Sequence, residues 1–101
     1  MALERRVIVL ARVDGTVDRL PLVPAVEMRF ERTYKIPINK LTDGPEAATN
    51  LYRLAWELDA DATRKRGGVI PALDQWAEGI EALDFETEPI VPFEKVATAT
   101  S

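Results

Sequence analysis

The sequence predicts an α+β fold: an N-terminal three-stranded antiparallel β unit, about residues 5–34, followed by a two-helix hairpin, about residues 45–66 and 71–84. The first observation is an apolar run interrupted by Asp14-Gly15, a dipeptide typical of β-hairpins. The second is the stretch NLYRLAWELDADATRKRGG, which has the spacing of an amphipathic helix ended by two glycines. The third is a further apolar stripe of helical period in the segment that follows.

The chain has the size and composition of one small globular domain. It has 101 residues, of which 47% are hydrophobic and 30% charged, values typical of a globular protein with a single modest core. We expect one domain over residues 1–88 and an irregular, proline-containing C-terminal tail over residues 89–101, which we expect to be flexible.

The three predicted strands lie in the first third of the chain. Residues 5–13 are apolar and β-branched, and a type I′ turn at Asp14-Gly15 would return the chain along a short strand from Thr16 to about Leu20. In residues 26–34 apolar and polar side chains alternate, which favours a third strand. A sheet of this size needs a cover on its apolar face.

The first predicted helix carries two aromatic residues at the border of its apolar stripe. Asp43-Gly44-Pro45-Glu46 has the features of a helix start. Tyr52 and Trp56 lie one turn apart beside the stripe, so they either complete the core or anchor a partner. The stripe consists of Ala47, Ala48, Leu51, Leu54, Ala55, Leu58 and Ala62, and the opposite side of Arg53, Glu57, Ala60 and Asp61.

The second predicted helix would pack against the first as an antiparallel helical hairpin. Its stripe consists of Leu73, Trp76, Ala77, Ile80 and Leu83. Trp76 lies within this stripe, which favours a place in the core.

The composition argues against an enzyme. The chain has no cysteine and no histidine, so it lacks the thiol nucleophile, the usual general base near neutral pH and the commonest metal-binding side chain. Asp84, Glu86 and Glu88 form an acidic D-x-E-x-E pattern without the glycine and further oxygen ligands of a calcium loop. We therefore expect no cofactor and no bound metal, and interpret these acids as a solvated acidic helix end.

The charge is unevenly distributed. The net charge is −4, and residues 67–101 contain one lysine against seven acidic residues, which argues against nucleic-acid binding through that part. The basic run at residues 64–66 is typical of a helix C-terminus, although a small regulatory module that binds nucleic acid is an alternative. No apolar run is long enough to span a membrane, and the lack of cysteine favours the cytoplasm.

The middle of the chain resembles the tail assembly chaperones of long-tailed bacteriophages. The resemblance covers roughly residues 31–87 and rests on three short motifs: Leu54-Ala55-Trp56, Leu73-Asp74-Gln75-Trp76 and Ile80-Glu81. It implies a helper protein in the host cytoplasm that binds the tape-measure protein and helps tail-tube subunits to assemble around it. The predicted helical hairpin would also allow several copies, as a homo-oligomer, to line the client. The predicted partner-binding residues are Tyr52, Trp56, Leu73, Trp76 and Ile80. The main alternative is a small structural protein of the phage tail or head-tail connector.

Overall fold

A computed structural model describes residues 3–90 of the chain. Three antiparallel strands form a sheet in the order β2-β1-β3, and helices cover one of its faces, which confirms the predicted α+β class. In chain order the elements are β1 (Leu3–Arg12), β2 (Val17–Pro21), α1 (Pro24–Tyr34), a single 3-10 turn (Ile38–Lys40), α2 (Ala47–Lys65), α3 (Leu73–Ala77) and β3 (Ile80–Ile90).

The predicted hairpin at Asp14-Gly15 joins β1 to β2, but its turn is not type I′. Gly15 has a φ of 95°, but Asp14 has no positive φ. The turn runs from Arg12 to Gly15 and is closed by Gly15 N, which donates to Arg12 O at 3.0 Å. Asp14 and Gly15 are therefore not its two central residues, as a type I′ turn would require. The Asp14 carboxylate accepts hydrogen bonds from the backbone N and the hydroxyl of Thr16 at 2.9 and 2.7 Å. These bonds hold the pKa of Asp14 below its usual range.

The predicted strand over residues 26–34 is wrong, since this segment is helix α1. Pro24 occupies the start of the helix, where its fixed φ and missing N–H are tolerated. Val26 and Phe30 are buried one turn apart and Tyr34 continues the same row, whereas Met28 is exposed. The apolar residues Val26, Phe30 and Tyr34 are therefore spaced as on one face of a helix. Over only nine residues, the same sequence also reads as the apolar–polar alternation of a strand.

The first predicted helix is confirmed as α2. More of its surface is buried than the predicted apolar stripe alone. Glu57 and Ala60, which we expected on the polar side, are 8% and 0% exposed. The reason is α1, which packs against α2 on the side away from the predicted stripe and contributes Arg29 and Tyr34 to the contact.

The second predicted helix is mostly wrong in extent. Helix α3 spans only Leu73–Ala77, and from Ile80 the chain forms β3, the third strand of the sheet. β3 pairs antiparallel with β1 over its full length, from Arg12↔Ile80 to Leu3↔Ile90. Residues 89 and 90 of the predicted irregular tail therefore belong to a strand, and the rest of that tail lies outside the described residues.

The core lies between the sheet and the helices. It contains Ile8 and Leu10 of β1, Phe30 of α1, Leu54 of α2 and Trp76 of α3, each at most 5% exposed. Within residues 3–90, no helix is long and apolar enough to cross a membrane.

The opposite face of the sheet is covered by charged side chains. Arg19 of β2 reaches across β1 to Glu86 and Glu88 of β3, at 3.0 and 3.3 Å, and Arg5 donates to Glu88 at 2.7 Å. The hydrogen bond from Arg5 holds the pKa of Glu88 below its ordinary value. Val7 of β1 lies opposite Glu86 on this face, and it is only 1% exposed.

Candidate partner-binding surface

Tyr52 and Trp56 lie on α2 as the sequence predicted, and both are half-buried. Both side chains pack against the core and remain partly exposed to solvent. The indole Nε1 of Trp56 donates to the backbone O of Pro71 at 2.9 Å, so this side chain also fixes the segment that joins α2 to α3. Neither aromatic is sealed inside the protein, and neither is free of the core.

Trp76 is a core residue, 5% exposed, and its polar atom has a buried partner. Its Nε1 donates to Asp59 Oδ2 of α2 at 2.8 Å, and Arg12 Nη2 of β1 donates to the same oxygen at 3.2 Å. Arg12 also donates to Asp18 of β2, at 2.8 and 3.0 Å. This set, which we call the Asp59 network, joins the sheet to α2 and α3.

Leu73 and Ile80 are half-buried and pack against the same core. Leu73 begins α3, and Ile80 is the first residue of β3 rather than part of a helix. All five predicted partner-binding residues therefore touch the core, but they come from a long helix, a short helix and a strand. Of the five, Tyr52 and Trp56 are one turn apart on a single helix and share a partly exposed position.

The segment between α2 and α3, residues 66–72, adds apolar surface that the sequence analysis missed. Val69 is 92% exposed, Pro71 is exposed and Ile70 is half-buried. A cleft of about 500 Å3 lies beside this segment. Its lining includes Val69, Ile70, Pro71 and Trp76, and its charged groups are Arg12, Asp14, Asp59 and Arg66. A partly apolar cleft with charged groups suits a protein segment better than a small polar molecule.

A second polar cluster joins α1 to α2 and was not predicted either. The Tyr34 hydroxyl donates to Glu57 Oε2 at 3.3 Å, and Arg29 lies 3.8 Å from Glu57 and 3.7 Å from Asp61. Burial of the phenol, followed by the negative charge of Glu57, raises the pKa of Tyr34 above its ordinary value. These groups connect the two helices.

The acidic residues that we expected at a helix end lie on strand β3. Asp84, Glu86 and Glu88 alternate with Leu83, Phe85 and Thr87, so they share one face of the strand. Glu86 and Glu88 are paired with arginines, as described above. Over residues 3–90, no group of three or more Asp, Glu, His or Cys side chains is arranged to hold a metal ion.

Comparison with known proteins finds no matching family model, no matching curated protein and no matching solved structure.

Proposed function

We propose that this protein is a bacteriophage tail assembly chaperone that binds the tape-measure protein in the host cytoplasm and helps tail-tube subunits to assemble around it. The proposal rests on the sequence resemblance and on one structural observation. Apolar surface remains open to solvent along α2 and the segment that follows it, at Tyr52, Trp56 and Val69.

This surface has the properties that a holding function requires. A long, apolar, helical client needs apolar contacts that shield it from water, together with charged groups that keep the complex soluble. The partly exposed aromatic side chains offer large contact areas. Arg12, Asp14 and Arg66 line the cleft beside Val69, together with Ile70 and Pro71. A function of this kind needs no nucleophile, general base or cofactor.

The test is co-expression with the tape-measure protein of the phage that encodes the chain. We expect wild-type protein to keep the tape measure in the soluble fraction, and the Tyr52→Arg and Val69→Arg variants to reduce that fraction. A loss of about tenfold in affinity corresponds to about 1.4 kcal/mol, which is within reach of one lost aromatic contact.

Met28→Arg is the matched control, because Met28 is 59% exposed on α1 and the substitution adds the same charge. The arginine stem can still cover apolar surface at position 52, so folding should survive there, and thermal melting of each variant verifies this. Equal solubility of the tape measure with all three variants would contradict the proposed surface.

The alternative of a small structural protein of the phage tail or connector is favoured by a different observation: no strand within residues 3–90 pairs with the outer edge of β3. Edge strands are common sites at which one subunit extends the sheet of another. The chain would then be present in purified phage particles at a fixed copy number, whereas a chaperone would be absent from them.

A further inference from the structure

β3 forms one edge of the sheet and is its longest strand, with 11 residues. It pairs with β1 on one side, and no other strand within residues 3–90 pairs with its second side. In an antiparallel ladder every second residue of an edge strand directs its N–H and C=O away from its one neighbour. β3 therefore directs the backbone groups of alternate residues to its outer side, although the N–H of Phe85 already donates to Asp84 Oδ1 at 2.9 Å and Pro89 has no N–H.

The two faces of β3 differ in chemistry. Leu83 and Phe85 pack against the core, whereas Asp84, Glu86 and Glu88 lie on the charged face of the sheet. The strand contains no lysine or arginine. Arg5 and Arg19 pair with Glu86 and Glu88, but Asp84 makes no ion pair with any residue in the part of the chain that the structure describes.

This distribution of charge disfavours a second copy of the chain as the occupant. When two β3 strands join into one continuous sheet, residues on the same face lie opposite each other. Even-numbered residues then face even-numbered residues, so that Asp84 would face Glu86 or another member of the acidic set in the central registers. Like charges directly opposite each other destabilise a strand pair.

We propose that the outer edge of β3 accepts an extended segment of a partner protein in which lysine or arginine alternates with apolar residues. The backbone of that segment would continue the ladder, its basic side chains would face Asp84 and Glu86, and its apolar side chains would extend the layer formed by Leu83 and Phe85. This inference does not depend on the tape-measure protein being the client, because it concerns a different surface from Tyr52 and Trp56.

The experiment titrates isotope-labelled full-length protein with a nine-residue peptide of alternating lysine and valine, followed by NMR. We expect chemical-shift changes and slower amide exchange in β3. A glutamate–valine peptide of the same length and a lysine–valine peptide with a central proline should bind less tightly, because they lack the charge match and the central N–H respectively. Asp84→Lys should weaken binding of the first peptide about threefold to tenfold, whereas Asp74→Lys, an exposed change on α3, should not.

Several results would overturn the proposal. One is equal binding of the lysine–valine and glutamate–valine peptides, and another is a set of shift changes away from β3. Slow exchange of the outward amides of Leu83 and Thr87 in the free protein would mean that another part of the chain already occupies the edge, whereas Phe85 N is bonded to Asp84. A dimer joined through β3 in sedimentation and NMR experiments would assign the edge to a second copy. Melting of Asp84→Lys close to that of wild type verifies that the fold is retained.

Discussion

Asp59 of α2 and Trp76 of α3 share a buried hydrogen bond, in which the indole Nε1 donates to the carboxylate Oδ2 at 2.8 Å. The same oxygen accepts from Arg12 of β1. The Asp59 carboxylate thus accepts hydrogen bonds from Trp76 and from Arg12, and it lies where α2, α3 and β1 meet. Burial without such partners would be costly for each of these polar groups.

We predict that Asp59→Ala lowers the free energy of unfolding by about 2–4 kcal/mol, because it leaves the Trp76 N–H and one arginine contact without their acceptor. Trp76→Phe should cost less, about 1–3 kcal/mol, since Asp59 keeps Arg12. Urea denaturation measures both values. Asp43→Ala, at an exposed position, should change stability by less than about 0.5 kcal/mol. A loss below about 1 kcal/mol for Asp59→Ala would contradict this role of the network.

Tyr34 predicts a specific loss of stability at alkaline pH. Its raised pKa means that the folded protein holds the phenol proton to higher pH than the unfolded chain does. The unfolded chain loses this proton at a pH of about 10, the ordinary tyrosine pKa, whereas the folded protein still keeps it. The free energy of unfolding therefore falls as pH rises from there, until the folded protein also loses the proton at its higher pKa. Tyr34→Phe removes the titrating group, so its free energy of unfolding should fall less steeply than that of wild type above pH of about 10. Urea denaturation at a series of pH values measures this dependence. If the free energy of unfolding of wild type and of Tyr34→Phe fell equally steeply with pH, the assigned environment of Tyr34 would be contradicted.

Lys35 offers a stabilising substitution. It ends α1 with a φ of 60°, and its backbone N donates to Glu31 O at 2.9 Å. Glycine adopts this left-handed conformation without the Cβ clash, so Lys35→Gly should raise the free energy of unfolding by about 0.5–1 kcal/mol. Arg32→Gly, three residues earlier within the helix, should lower it by about 1 kcal/mol. The same sign for both variants in thermal melting would contradict the left-handed cap.

The local signals in the sequence predicted the β1–β2 hairpin and α2 because each is marked by residues with strong local preferences. Asp14-Gly15 marks the turn, and Gly67 follows the end of α2 with a φ of 80°. The third strand was placed in the wrong segment. Residues 26–34 alternate in polarity yet form a helix, and residues 83–88 alternate equally well and form a strand. Short amphipathic segments satisfy both periods, so the tertiary contacts decide between them.

The candidate surface was predictable only in part. Trp76 was expected in the core because it lies within an apolar stripe, and Trp56 was left between core and surface, where the structure has it half-buried. The partners of the two buried carboxylates are distant in sequence. Arg12 lies 47 residues from Asp59, and Tyr34 lies 23 residues from Glu57. No local pattern identifies a carboxylate that is buried by such remote residues.

The central claim is that the protein acts by offering apolar surface on α2 and the segment after it to another chain. Affinity purification of the tagged protein from phage-infected cells, followed by mass spectrometry of the eluate and of purified particles, tests this most directly. We predict that the tape-measure protein is enriched with the wild-type protein, that Val69→Arg reduces the enrichment while Met28→Arg does not, and that the chain is absent from particles. Recovery of the chain at stoichiometric copy number in particles, with no tape-measure protein in the eluate, would contradict it.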